Sequence, residues 1–153
     1  MLNEDLLTTA VPVKDVDHFA LTIALAEELL SAARAAQNFA YAPYSNFAVG
    51  AAVLLSDGTI YRGANVENAS FGLTVCAERV ALFNAVSEGR IDIAAVALVT
   101  SSHTMLKPCG ACRQVIAEFS QADNPIVIVS TCASGVVVTD SISDLLPDRF
   151  TLI

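Results

Sequence analysis

The chain has 153 residues, enough for one domain with a real core. Sixteen acidic and eight basic residues leave a net charge of −8, and the cations are scattered, which argues against a nucleic-acid binder that must displace counterions from phosphates. Hydrophobic residues make up 54% and mean hydropathy is +0.57. Every apolar stretch is nevertheless short or interrupted, so no membrane span is expected.

Residues 1 to about 15 are unpatterned and read as a loose N-terminal arm of a single domain spanning residues 1–153. They show no basic region followed by an apolar run, so a cytoplasmic protein is expected. Asp17 is the expected cap of a helix reaching about Ala40, with Leu21, Ala24, Leu25 and Leu29 as its apolar stripe. Phe47 to Leu55 and Thr59 to Gly63 read as strands joined by the turn Ser56-Asp57-Gly58. A polar loop, Asn65 to Thr74, leads to a helix from about Val75 to Ser87. Ile93 to Thr100 reads as a buried strand, and Gly110 to Ser120 as a short helix. Ile126 to Ser130 and Gly135 to Thr139 read as strands, and Ile142 to Leu145 as a last helical turn. Alternating strands and helices predict an α/β fold, a three-layer α/β/α sandwich around a mixed sheet of about five strands.

Cys76-Ala77-Glu78 and Pro108-Cys109-Gly110-Ala111-Cys112 carry the chemistry. Structural zinc sites close with four protein ligands, whereas catalytic ones use three and leave a position for water. Cys76, Cys109 and Cys112 supply three thiols, and Glu78 supplies a carboxylate that can move protons beside them. Both cysteine groups fall at expected helix starts, where unpaired N–H groups and the helix dipole favour thiolate. Three thiolates and Zn²⁺ sum to −1, and Arg79 and Arg113 stand within a turn of a ligand, where hydrogen bonds to sulfur would restore electrophilicity. A structural clamp or a redox Cys-x-x-Cys pair competes with this reading. The redox pair accounts for neither Cys76 nor Glu78, and a closed site lacks a good fourth ligand: Cys132 reads as a small buried hydrophobe, and His18 and His103 stand alone.

At these residues the chain resembles the cytidine deaminase family, in particular its small homotetrameric nucleoside deaminases. Tyr41-Ala42-Pro43-Tyr44-Ser45-Asn46-Phe47, Asn65-Val66-Glu67-Asn68-Ala69, Cys76-Ala77-Glu78-Arg79, Pro108-Cys109-Gly110-Ala111-Cys112-Arg113-Gln114 and Leu145-Leu146-Pro147 look like its blocks in order. The resemblance covers roughly residues 30 to 150. It implies one zinc ion per chain and hydrolytic deamination of cytidine and deoxycytidine, with Glu78 as proton shuttle. It further implies that Asn65 and Glu67 bind the ribose hydroxyls and that Phe47 stacks on the pyrimidine. The Ala77 backbone would meet the polar edge of the base, and Arg79, Arg113 and Gln114 would support the ligands. Ala69, Phe71 and Phe150 would reach a neighbouring subunit's pocket. Phe71 departs from the tyrosine common in relatives, and Lys107-Pro108 from a common Pro-Pro. The apolar composition independently suggests an oligomer. Deamination of another small aminopyrimidine, editing of a polynucleotide, and a zinc-binding oligomer without activity are the competing readings.

Overall fold

Eight consecutive buried residues, Ile93–Thr100, form the middle strand of the sheet in a computed structural model that describes residues 21–152. The expected arm at residues 1–15, Asp17 and His18 lie outside the described residues. In chain order the elements are α1 (Ile23–Gln37), β1 (Val49–Leu55), β2 (Ile60–Ala64), α2 (Ala77–Ser87), β3 (Ile93–Thr100), α3 (Gly110–Glu118), β4 (Val127–Thr131), β5 (Val137–Ser141) and α4 (Ile142–Leu145), with a short 3-10 turn at Phe71–Leu73. The sheet order is β2-β1-β3-β4-β5. Among the described strands of the sheet only β3 and β4 pair in parallel, so the sheet is mixed as expected.

Alternation of side chains across each strand assigns the layers. Leu54, Ala95, Ala97 and Val129 face α1 through Leu29, Leu30 and Ala33. Ala51, Val53, Val96 and Ile128 face α2 and α3 through Ala77, Ala81, Leu82 and Ile116. The strands at the middle of the sheet therefore read as nearly continuous apolar runs, because both of their faces are covered. The three-layer expectation holds.

Local chemistry moved several boundaries. Thr22, whose hydroxyl accepts from the Leu25 amide at 3.2 Å, caps α1 in place of Asp17. The helix stops at Gln37, because Phe39 and Ala40 bond back three residues and tighten the last turn. Its stripe runs through Leu25, Leu29, Ala33 and Ala36, while Ala24 is exposed. Phe47 precedes β1 rather than opening it, because the backbone carbonyl and amide around it bond to the Asn65 side chain and not to a strand. The expected loop after β2 is pinned at Val66, which bridges to both Tyr41 and Val75.

Close packing sets the height of α2 above the sheet. Ala77, Ala81 and Ala85, four apart on one face, are fully buried. Gly63 on β2 lies beneath them, and a Cβ there would stand 2.3 Å from the Ala81 nitrogen and 2.6 Å from the Ala77 carbonyl oxygen. Those contacts are with backbone, so α2 itself would have to move. Gly63→Ala is therefore expected to cost about 3 kcal/mol, the upper end of ordinary overpacking, in a chemical-denaturation measurement. A loss below about 0.5 kcal/mol, the size of a neutral surface change, would show that α2 is free to shift.

Candidate active site

Two helix starts deliver the thiols. Cys76 is the N-cap of α2 (φ −70°, ψ 153°) and Cys109 the N-cap of α3 (φ −66°, ψ 167°). An N-cap side chain usually accepts a hydrogen bond from its own helix. Neither sulfur does so here, which leaves both free to take part in the cluster. Cys112 follows one turn into α3 and is fully buried. The three sulfur atoms lie within 4.8 Å of one another, with Cys76 Sγ and Cys109 Sγ 3.9 Å apart. Zinc–thiolate bonds of about 2.3 Å in a tetrahedron require sulfurs about 3.8 Å apart, so the donor set fits one zinc ion.

The protonation of the cluster points the same way. The neighbouring Cys112 thiol, helped by Arg79, lowers the Cys76 thiol to about 5. Cys112 is in turn pushed far up by the Cys76 thiolate and by burial. Three thiols this close cannot all ionise unless a cation offsets their repulsion, and a divalent metal supplies it.

Glu78, the second residue of α2, is only 4% exposed. Burial, and then the charge on Cys76, raises its carboxyl above the usual range. A carboxyl with a raised pKa beside a metal site suits proton transfer near neutral pH. Arg79 donates to the Thr74 carbonyl at 3.2 Å and to Cys76 Sγ at 3.8 Å. Arg113 differs from the expectation that it would bond sulfur. Its Nε donates to the Pro108 carbonyl at 2.7 Å and its Nη1 to the Leu145 carbonyl at 3.0 Å, so it braces the backbone on either side of α3. Gln114 is also structural in its contacts, clasping the Phe150 backbone through both amide atoms at 3.0 and 3.2 Å.

The residues expected at the ribose lie beside the segment that leads into Cys76, because Val66 forms an isolated bridge to Val75. Asn65 is 8% exposed, and its amide accepts from Val49 N and donates to Phe47 O, both at 2.9 Å. The Glu67 carboxylate accepts from the Tyr44 amide at 2.9 Å, the Ser45 amide at 3.2 Å and the Ser45 hydroxyl. The Ser45 bond, with help from the two amides, lowers the Glu67 pKa. Both side chains thus hold the segment that presents Phe47, which is half-buried. Ala77 begins α2, and its N–H is one of the donors that a helix leaves without an internal partner.

The expected cross-subunit residues are all exposed. Phe71 is 77% and Phe150 68% exposed, and Ala69 is open to solvent. Phe71 meets Tyr44 edge-on, with ring centroids 6.1 Å apart. Cys132 and His103 stay outside the thiol cluster; Cys132 donates to the His103 carbonyl at 3.6 Å. Sequence reasoning missed Tyr44 and Ser45 as the partners of Glu67, and missed Leu145 as the partner of Arg113. The polar character of Ser45 was the one available signal.

Residues 24–129, more than half of the chain, match the family described as the cytidine and deoxycytidylate deaminase zinc-binding region. A cytidine deaminase of Halalkalibacterium halodurans is 50% identical over 123 residues, covering 80% of this chain and 92% of that protein. One from Mycobacterium tuberculosis is 43% identical over 113 residues, 74% of this chain and 80% of that protein. The crystal structure of cytidine deaminase from Burkholderia pseudomallei aligns with a TM-score of 0.74 at 49% identity, over 81% of this chain and 98% of that one. With three thiols placed for one zinc ion and these likenesses across most of its length, the chain belongs to the cytidine deaminase family.

Proposed function

We propose that the chain hydrolyses cytidine and deoxycytidine to uridine and deoxyuridine with release of ammonia, as a cytoplasmic homotetramer serving pyrimidine salvage. The observation that carries this reading is the buried Glu78 carboxyl on the first turn of α2, beside three sulfurs within 4.8 Å of one another.

Cys76, Cys109 and Cys112 hold the metal. When bound, zinc supplies Lewis acidity that lowers the pKa of a water to about 7 in favourable sites. Glu78 accepts a proton from the attacking water and delivers it to ring N3, which makes C4 electrophilic. The same carboxyl then carries the second proton to the departing 4-amino nitrogen, so one water enters and one ammonia leaves. Arg79 holds Cys76 by its 3.8 Å contact and keeps part of the thiolate charge from the metal. Phe47 offers a ring face to the base, and the Ala77 N–H an amide to its polar edge. Asn65 and Glu67 are set to receive the ribose hydroxyls with the hydrogen-bonding capacity that their loop contacts leave open.

A nucleoside fits better than a nucleotide. Residues 65–75 contain no Lys or Arg, and Glu67 would repel a 5′-phosphate. The assembly reading is supported by exposed apolar groups, including Phe39 at 80%, Phe71 at 77% and Phe150 at 68%. An open groove of about 520 Å³ beside β2, lined in part by Phe39, Ile60, Tyr61 and Val66, adds to that surface. None of the thiols lines it. No helix among the described residues is long and apolar enough to cross a membrane.

Cytidine turnover followed by ultraviolet absorbance, with zinc quantified on the same sample, tests the reading. Activity with one zinc per chain is expected. Zinc without activity on cytidine or deoxycytidine would move the substrate to another aminopyrimidine or leave a zinc-binding oligomer. Glu67→Ala is expected to raise KM for cytidine about 10- to 100-fold, the worth of hydrogen bonds to a charged group, and barely to alter any turnover of free cytosine. Equal losses on both would assign Glu67 to holding the Tyr44-Ser45 loop alone.

A further inference from the structure

Asp140 on β5 pairs across the sheet with Ile128. Ile128 packs into the core beneath α2 and α3. Directly paired residues share a face, so Asp140 lies on the side of the sheet that carries the thiols. Its Oδ1 accepts from Lys107 Nζ at 2.6 Å. Its Oδ2 is buried and has no partner among the described residues. The Asp140 side chain is 15% exposed and that of Lys107 is 42% exposed. Among the described residues Lys107 is thus the sole side-chain donor to this carboxylate, and it stands two residues before Cys109.

Between the end of β3 and Cys109, residues 101–108 form no helix or strand. The start of this segment is tied to β4's far end, where the Ala133 amide donates to the Ser102 carbonyl at 2.9 Å. Its last residues are held by the Lys107–Asp140 pair and by Arg113 on the Pro108 carbonyl. The Arg113 bond joins Pro108 to α3, so it moves with the ligand helix. Among the described residues Lys107 makes the one side-chain hydrogen bond that ties this end to a strand of the sheet.

We propose that Lys107 is a positioning residue: its ion pair with Asp140 anchors the loop to β5 and fixes the approach of Cys109 to the metal. The proposal rests on zinc at Cys76, Cys109 and Cys112. An exposed ion pair contributes little by itself. Here removal of the lysine would strand a largely buried carboxylate, and the loop would move to let water reach it.

The test uses zinc-loaded protein and reads two quantities besides activity. One is the rate of zinc release to a chelator, and the other the thiolate-to-metal absorption of the cobalt-substituted enzyme. Lys107→Met is expected to release zinc about tenfold faster, the lower end of effects seen when groups behind metal ligands are removed. It should also shift the cobalt spectrum. Asp140→Asn should match it, and Lys107→Arg should restore the parental rate. Arg90→Met, which breaks the pairs with Asp57 (2.7 Å) and Asp92 (3.2 Å) beyond the opposite end of α2, serves as the control and should leave release unchanged. Parental release rates and spectra in both Lys107→Met and Asp140→Asn would overturn the proposal, as would equal acceleration by Arg90→Met. A parent protein that binds no zinc would instead overturn the metal assignment, and the role of Lys107 with it.

Discussion

Replacing Glu78 with alanine is expected to lower cytidine turnover by about 10⁴-fold, the upper range for loss of a general acid–base group, while one zinc per chain stays bound. The three sulfurs already make a complete protein ligand set for a catalytic zinc, and Glu78 is not one of them. In the metal-free protein the Glu78 pKa is raised, first by burial. The folded state therefore binds that proton more tightly than the unfolded one. In that form the stability contributed by the group declines as pH rises from the unfolded value through the folded one. Steady-state absorbance assays and metal analysis on the same preparation decide the matter. Zinc lost together with turnover would move Glu78 into the ligand set.

Cys112→Ala is expected to abolish zinc binding and bring turnover to background. Cys112 is the most enclosed of the three thiols, fully buried within the first turn of α3. Two remaining thiols leave a site without its third strong bond, and apparent zinc affinity falls by orders of magnitude. Ligand-linked stability goes with it, so the variant should melt a few degrees below the chelator-stripped parent and gain nothing from added zinc. The truncation itself removes one sulfur and should cost only about 1 kcal/mol. Cys132→Ala is the matched control. Its thiol bonds the His103 carbonyl outside the cluster, so zinc and turnover should persist. A Cys112→Ala protein that keeps stoichiometric zinc would break the three-thiol assignment.

Much of the fold and of the metal site is legible in the residue order alone. The apolar run Ile93–Thr100 reads as a buried strand, and it lies at the middle of the sheet with both faces covered. Ser56-Asp57-Gly58 marks the β1–β2 hairpin, and Gly58 indeed takes a φ of 89°. The three thiols are recognisable because few chemistries use cysteines at that spacing beside a Glu. Element boundaries are harder to read. Helix ends depend on which hydroxyl reaches which amide, and Thr22 took the role expected of Asp17.

Arg113 shows where sequence reasoning stops. Its position within a turn of Cys112 suggested a bond to sulfur, yet its guanidinium reaches Leu145, 32 positions away, because the C-terminal segment folds back across α3. Glu67 shows the same limit. An acidic residue in a loop gave no sign that Tyr44 and Ser45 would hold it.

The sequence by itself determined what is local: the apolar alternation that builds each strand, the turn glycine, and the donor set of three thiols with one carboxyl. These follow from residue types and short spacings, which the backbone's own periodicity converts into faces and helix starts. Only the tertiary structure decided that Asp140 meets Lys107, that Asn65 grips Phe47 and Val49, and that Gly63 lets α2 lie close on the sheet. Such contacts join distant segments, and their partners are chosen by strand register and the close approach of layers.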